Sequence, residues 1–131
     1  MEAHFVYVVA DGEMFLRCCK DVEVLVAKGY SGYREYRNNP SFEARVALGP
    51  IPRGRWRIGP GVEHPRLGAL AIPLEWESGL SVYGRSGFYI HGDNRAGDFT
   101  ASNGCIVLGR SARACIDHLS RWSGVRALIV Q

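Results

Sequence analysis

His91 and Cys105 are the two residues of this chain whose types and setting could do chemistry together. Each is tied to glycine and an apolar, strand-like run: Phe88-Tyr89-Ile90-His91-Gly92-Asp93 for the first, Ala101-Ser102-Asn103-Gly104-Cys105-Ile106-Val107-Leu108 for the second. The chemistry would be nucleophilic. A free thiol, with a pKa of about 8.5, is only a few per cent thiolate at neutral pH, so it attacks poorly until a base takes its proton. An imidazole is such a base. Two strand ends joined by the polar run Asp93 to Thr100 can bring the pair face to face. Gly104 admits backbone angles that side chains forbid, and so lets backbone N–H groups point at a substrate carbonyl. Taken singly, Cys105 before Ile-Val-Leu would read as a packed core thiol and His91 as a structural histidine. Flanking glycines, small polar Ser102 and Asn103, and the intervening Asp93, Asn94, Arg95, Gly97 and Asp98 fit an open catalytic site better.

The chain has 131 residues, which fits a single domain over 1–131. Its apolar share of 47% and charged share of 22% are those of a globular protein and exclude wholesale disorder. Sixteen basic against thirteen acidic residues give +3, with arginines scattered from Arg17 to Arg126, so nothing points to nucleic acid. No run approaches the ~18 apolar residues of a membrane span. Met1-Glu2-Ala3-His4 lacks the basic start and apolar centre of a secretory signal, and synthesis is expected to end in the cytoplasm. Cys18, Cys19, Cys105 and Cys115 are too few and too irregular for a disulfide framework, and no C-x-x-C pair implies zinc. The sequence implies no metal and no cofactor. Of the adjacent Cys18 and Cys19, one is expected in the core.

The elements that must position His91 and Cys105 read as mostly strands. Phe5–Val9 and Met14–Cys19, joined by the turn signal Asp11-Gly12, form a hairpin, with Val22–Ala27 as the next strand. Gly29 to Ser41 is rich in turn formers and is expected to be a long surface loop, its Tyr30, Tyr33 and Tyr36 pinning it by aromatic packing or lining a groove. Gly49-Pro50-Ile51-Pro52-Arg53-Gly54 is a turn entering the alternating strand Arg55–Ile58. Leu67–Leu74, Phe88–His91 and Val125–Val130 are further strands. One helix stands out, Ala112–Trp122, capped by Ser111 and stopped by Gly124, with Ala112, Cys115, Ile116, Leu119 and Trp122 as its packed stripe. His4, His64 and His118 read as structural or solvated. The sum is a mainly β domain with one substantial C-terminal helix.

The order strand, His-Gly, polar loop, Ser-x-Gly-Cys, apolar strand resembles the L,D-transpeptidase catalytic domain (YkuD-like), whose members cross-link or trim bacterial peptidoglycan through an acyl-enzyme thioester. Gly49-Pro50-Ile51-Pro52-x-Gly54, Gly84-Arg85-Ser86-Gly87-Phe88, Ile90-His91-Gly92-Asp93 and Ser102-x-Gly104-Cys105-Ile106-Val107 are closest to the type VI secretion L,D-transpeptidase effectors. These are antibacterial toxins injected into the periplasm of rival cells. Many housekeeping members carry a second histidine before Gly-Cys and an arginine or asparagine two residues after the cysteine; Asn103 and Val107 stand there and favour the effector branch. Gly92 stands where the wider family has serine, so a backbone carbonyl or Asp93 is left to orient His91.

The resemblance implies a β-sandwich or barrel and an L,D-carboxypeptidase or L,D-transpeptidase acting on stem tetrapeptides. Cys105 would be the nucleophile and His91 the base and acid. Backbone N–H groups of Gly104 and Cys105, with Asn103, would form the oxyanion hole. Arg85, Ser86 and Tyr83 would touch substrate, Arg85 facing a stem carboxylate. Implied partners are peptidoglycan stem peptides, a cognate immunity protein and type VI secretion components. Travel through an injection machine would need no export signal. The rivals are a housekeeping L,D-transpeptidase, a non-catalytic peptidoglycan-binding or immunity module, and a papain-like peptidase. The last is disfavoured because its cysteine would precede its histidine and open a helix.

Overall fold

The turn at Asp11-Gly12 folds the first strands onto each other, and the rest of the sheet is assembled from segments far apart in the chain. The structure, a computed structural model, describes residues 2–19 and 21–131. In chain order the strands are β1 (His4–Val8), β2 (Glu13–Cys18), β3 (Val22–Lys28), β4 (Tyr30–Ser31), β5 (Gly54–Ile58), β6 (Val62–His64), β7 (Gly68–Ser78), β8 (Tyr89–His91), β9 (Ile106–Val107) and β10 (Ala127–Val130). The single α-helix among the described residues, α1 (Arg110–Ser123), comes just before β10. Across the sheet the order is β3-β2-β1-β10-β5-β7-β8-β9-β4, with β6 paired to β7 off that path. This is the mainly β, one-helix architecture expected.

β1 lies parallel to β10 and antiparallel to β2. Phe5, Val6 and Tyr7 are all buried, so both faces of this central strand are covered. β7 links the two halves of the sheet. Its C-terminal part pairs with β5 (Ile58↔Leu74, Trp56↔Trp76), and its N-terminal part pairs with β8 (Ile72↔Ile90) and β6 (Val62↔Ala71). Pro73, which has no N–H to give, sits where the pairing changes hands. Trp56 anchors the core beneath it, edge-on to Trp76 and Phe88 at 5.3 and 5.0 Å, with its indole N–H satisfied by the Pro52 carbonyl at 3.0 Å.

Several local expectations are corrected. Gly29 to Ser41 is not wholly a surface loop: Tyr30 and Ser31 are buried and pair with Val107 and Ile106, followed by 3₁₀ turns at Arg34–Tyr36 and Pro40–Phe42. A two-residue strand is too short to show periodicity amid turn formers. His64 ends a strand and is not in a loop. The helix begins earlier than Ser111, with Gly109 at its N-cap and no side-chain cap, whereas Gly124 ends it in the left-handed region as expected (φ 71°). Its buried face carries Ala112, Arg113, Ile116 and Ser120, while Cys115 is exposed and Trp122 is 72% exposed. The face is rotated because Arg113 turns inward, giving its guanidinium to the carbonyls of Leu108, Ala69 and Leu70 at 2.8–3.0 Å. Neither Cys18 nor Cys19 is core: β2 stops at the first, and the second is exposed with φ 58°.

Candidate active site

β8 and β9 run parallel, with Ile90 beside Ile106 and His91 beside Val107. Ile90 and Ile106 are fully buried in the core. Side chains alternate along a strand, so Tyr89, His91, Cys105 and Val107 share the opposite face. Cys105 falls beside Tyr89, whose N–H donates to Sγ at 3.3 Å. His91 and Cys105 are therefore diagonal neighbours, their Cα atoms roughly 8 Å apart by strand spacing and rise. The Sγ–H donates at 3.6 Å to the Gly87 carbonyl, and among the described residues no hydrogen bond joins imidazole to thiol. Rotation of the thiol away from Gly87 is the movement that would engage the pair, and a catalytic hydrogen bond that is loose without substrate is common.

The imidazole is oriented by a backbone carbonyl. His91 Nδ1 lies 2.7 Å from the Gly92 oxygen, which can only accept, so Nδ1 carries the proton and Nε2 is left basic. Asp93, the other candidate for that task, instead accepts from the Tyr30 hydroxyl at 2.8 Å. Burial pushes the His91 pKa below its ordinary value, outweighing the opposite pull of the Gly92 carbonyl and Asp93; Arg113 and His64 push the same way as burial. Burial also raises the Cys105 pKa, against the Tyr89 N–H and the cations Arg85 and Arg66. Both shifts favour the uncharged forms, neutral imidazole and un-ionised thiol, over the ion pair. Gly92 admits Arg113: a Cβ there would sit 2.8 Å from its Nη2.

The turn that carries Cys105 is held by its own Ser102 and by Ser31 and Arg85, which come from elsewhere in the chain. Three consecutive carbonyls are each captured: Asn103 by Arg85 Nη2 (3.1 Å), Gly104 by Ser31 Oγ (2.9 Å) and Cys105 by Ser102 Oγ (2.6 Å). Ser31 Oγ accepts in turn from the Ile51 N–H, and Ser102 Oγ from the N–H groups of Gly32 and Gly104. Both serines are completely buried. Gly104 has φ 140°, and a Cβ there would strike the Arg85 guanidinium and the Phe88 ring. The expected oxyanion hole is revised accordingly. The Gly104 N–H donates to Ser102 Oγ at 3.1 Å, whereas the N–H groups of Asn103 and Cys105 donate to no atom among the described residues.

Cys105 opens on a cleft of about 300 Å³ whose walls include Val46, Ala47, Arg85, Ser86, Phe88 and Asn103. The Asn103 amide ties one wall by donating to the Ala47 carbonyl at 3.0 Å. Of the three residues expected to touch substrate, Ser86 lines this cleft. Arg85 lines it too but is only 7% exposed, and its guanidinium donates to the carbonyls of Glu43, Gly49, Pro50 and Asn103. It braces the wall and is not free to take a carboxylate. Tyr83 donates to buried Glu43 at 2.8 Å, and Glu43 also pairs with Arg53 at 2.9 Å. Sequence reasoning missed Ser31, Glu43 and Arg113, each of which acts through partners distant in the chain.

Comparison with known proteins bears on the family and the fold. A family model described as the Tlde1 domain matches residues 26–127, a span holding both His91 and Cys105. Among solved structures, an L,D-transpeptidase from Mycobacterium smegmatis is similar with a TM-score of 0.54 at 18% identity, over 99% of this chain and 58% of that one. The chain thus spans a little over half the length of that protein. No curated protein sequence matches. The fold is that of an L,D-transpeptidase.

Proposed function

Because this chain belongs to the Tlde1 domain family of type VI L,D-transpeptidase effectors, we propose that it is a cysteine enzyme that modifies peptidoglycan stem tetrapeptides. The observation that carries the reading is the strand face that His91 shares with Cys105, where Cys105 opens on a cleft beside two N–H groups that donate to no atom among the described residues. His91 Nε2 takes the thiol proton as Sγ attacks the carbonyl between the third and fourth stem residues. The N–H groups of Cys105 and Asn103 receive the oxyanion, where losing one donor typically costs about 3–4 kcal/mol. The tetrahedral species collapses, the C–N bond breaks, and His91 returns its proton to the departing D-alanine amine. The thioester then passes its acyl group to water, giving carboxypeptidase activity, or to an amine, giving exchange or cross-linking. Neither half needs a cofactor.

Peptidoglycan lies outside the cytoplasm, so the proposed place of action is the periplasm of a target bacterium. Delivery by a type VI machine and a cognate immunity protein in the producer are part of the same proposal, which the family match supports. The decisive measurement is mass spectrometry of muropeptides treated with pure protein. Cys105→Ala should abolish D-alanine release with circular dichroism unchanged; release at the parent rate would refute the assignment.

A further inference from the structure

The sheet ends on one side at β3, which pairs with β2 and with no other strand among the described residues. It is a long edge. Proteins commonly blunt such edges by keeping them short, as β4 at the opposite end of the sheet (two residues) and β6 (three residues) are here, but β3 runs for seven residues. Its apolar side chains are not covered either: Val22, Val24 and Leu25 are 45%, 53% and 50% exposed. A row of backbone donors and acceptors flanked by exposed apolar side chains is a template for another strand.

The charges on this edge say which strand fits. β2 pairs Phe15 with Leu25 and Met14 with Ala27, so Val26 is a bulge with no residue opposite it. The extra residue resets the alternation. Val26 and Ala27 both pack toward the core, whereas Glu23, Leu25 and Lys28, opposite Arg17, Phe15 and Glu13, share the outer face of the sheet. Counting the bulge as one step, Glu23 and Lys28 stand two steps to either side of Leu25. A half-turn about Leu25 therefore exchanges them and sets each Glu23 opposite Lys28 of a second copy. The row across the seam would read Arg17, Glu23, then Lys28 and Glu13 of the second copy, alternating in sign throughout and occurring twice. Arg17 engages only Oε1 of Glu23, at 2.7 Å, and Lys28 forms no ion pair among the described residues. A lysine and a bulge ordinarily turn a second copy away from an edge, but here the lysine meets a carboxylate.

We propose that β3 is a homodimer seam, at which the β3 edges of two copies pair antiparallel about a two-fold axis at Leu25 and join their sheets into one. The contact is isologous, so it closes at two copies and leaves no β3 edge to recruit a third. Leu25 meets Leu25 of the second copy on the outer face, and Val24 meets the bulged Val26 and Ala27 on the inner one. One strand per copy is a small seam beside the ~1,600 Å² of a standard interface, so association in the micromolar range is expected. None of its residues lines the cleft at Cys105, and the dimer does not depend on the enzymatic reading.

Sedimentation velocity on the full chain, from about 1 to 200 μM, tests this together with hydrogen exchange over the same range. The parent should pass from monomer to dimer as concentration rises, with the β3 amides gaining protection in step. Glu23→Lys sets Lys opposite Lys and Lys28→Glu sets Glu opposite Glu; each should weaken the dimer about tenfold, because the two-fold axis counts every reversal twice. Both positions are exposed, so the monomer fold should survive, and circular dichroism checks it. The double exchange, Glu23→Lys with Lys28→Glu, restores opposite signs across the seam and should dimerise more tightly than either single variant. A monomer at every concentration overturns the proposal, and would leave the edge to a strand of some other protein. A dimer indifferent to both single substitutions, a double exchange no tighter than the singles, or β3 amides whose exchange does not change with concentration would overturn it equally.

Discussion

At the scale of single residues the site depends on which nitrogen of His91 holds a proton. The Gly92 carbonyl fixes it on Nδ1, and burial keeps the ring neutral to a lower pH than a free histidine. The sign follows directly: a depressed imidazole pKa extends the base form downward in pH, so the acid limb of kcat/KM should have its midpoint below the ordinary value of 6.5. A pH profile of D-alanine release checks this, and a midpoint above that value would mean that a nearby carboxylate controls the ring. His91 and Cys105 could be singled out in the sequence because each stands beside glycine and is of a type suited to such chemistry, and the structure sets them on one strand face. Arg85 was misjudged because its partners, the carbonyls of Glu43, Gly49, Pro50 and Asn103, carry no side-chain signature.

The turn at Cys105 is an element stabilised in large part from outside itself. Ser31 joins the Gly104 carbonyl to the Ile51 N–H, so β4, the turn at Pro50 and the turn before Cys105 meet at one hydroxyl. Ser31→Ala leaves a buried acceptor and a buried donor without partners, at a cost of about 1–3 kcal/mol for each group not rescued by water. The expected outcome is a lower melting temperature and a fall in kcat larger than any rise in KM, because the freed turn misplaces the Cys105 N–H while the cleft walls stay. Calorimetry with steady-state kinetics would show it. None of this was readable beforehand, since a two-residue strand has no period and Ser31 lay among turn formers. The helix was readable in extent, from the glycine at its end. Its buried face was not, because an arginine that satisfies three carbonyls looks like a solvent residue.

For the whole molecule, alternation in segments such as Arg55–Ile58 revealed the strands, but not the order in which they pair, which is set by partners distant in the chain. Core packing leaves one polar atom stranded: the Tyr7 hydroxyl is buried and has no partner among the described residues. Tyr7→Phe should therefore leave stability unchanged or raise it by up to about 1 kcal/mol, measurable by urea titration. A loss of stability would reveal a water bound at that hydroxyl. The parallel pairing of β1 with β10 has a mechanical consequence. Tension between residues near His4 and Gln131 drags these two neighbours past each other lengthwise, loading all their mutual backbone bonds at once instead of unzipping them one by one. Any machinery that threads this protein from an end would meet its greatest resistance at that seam, far from the thiol.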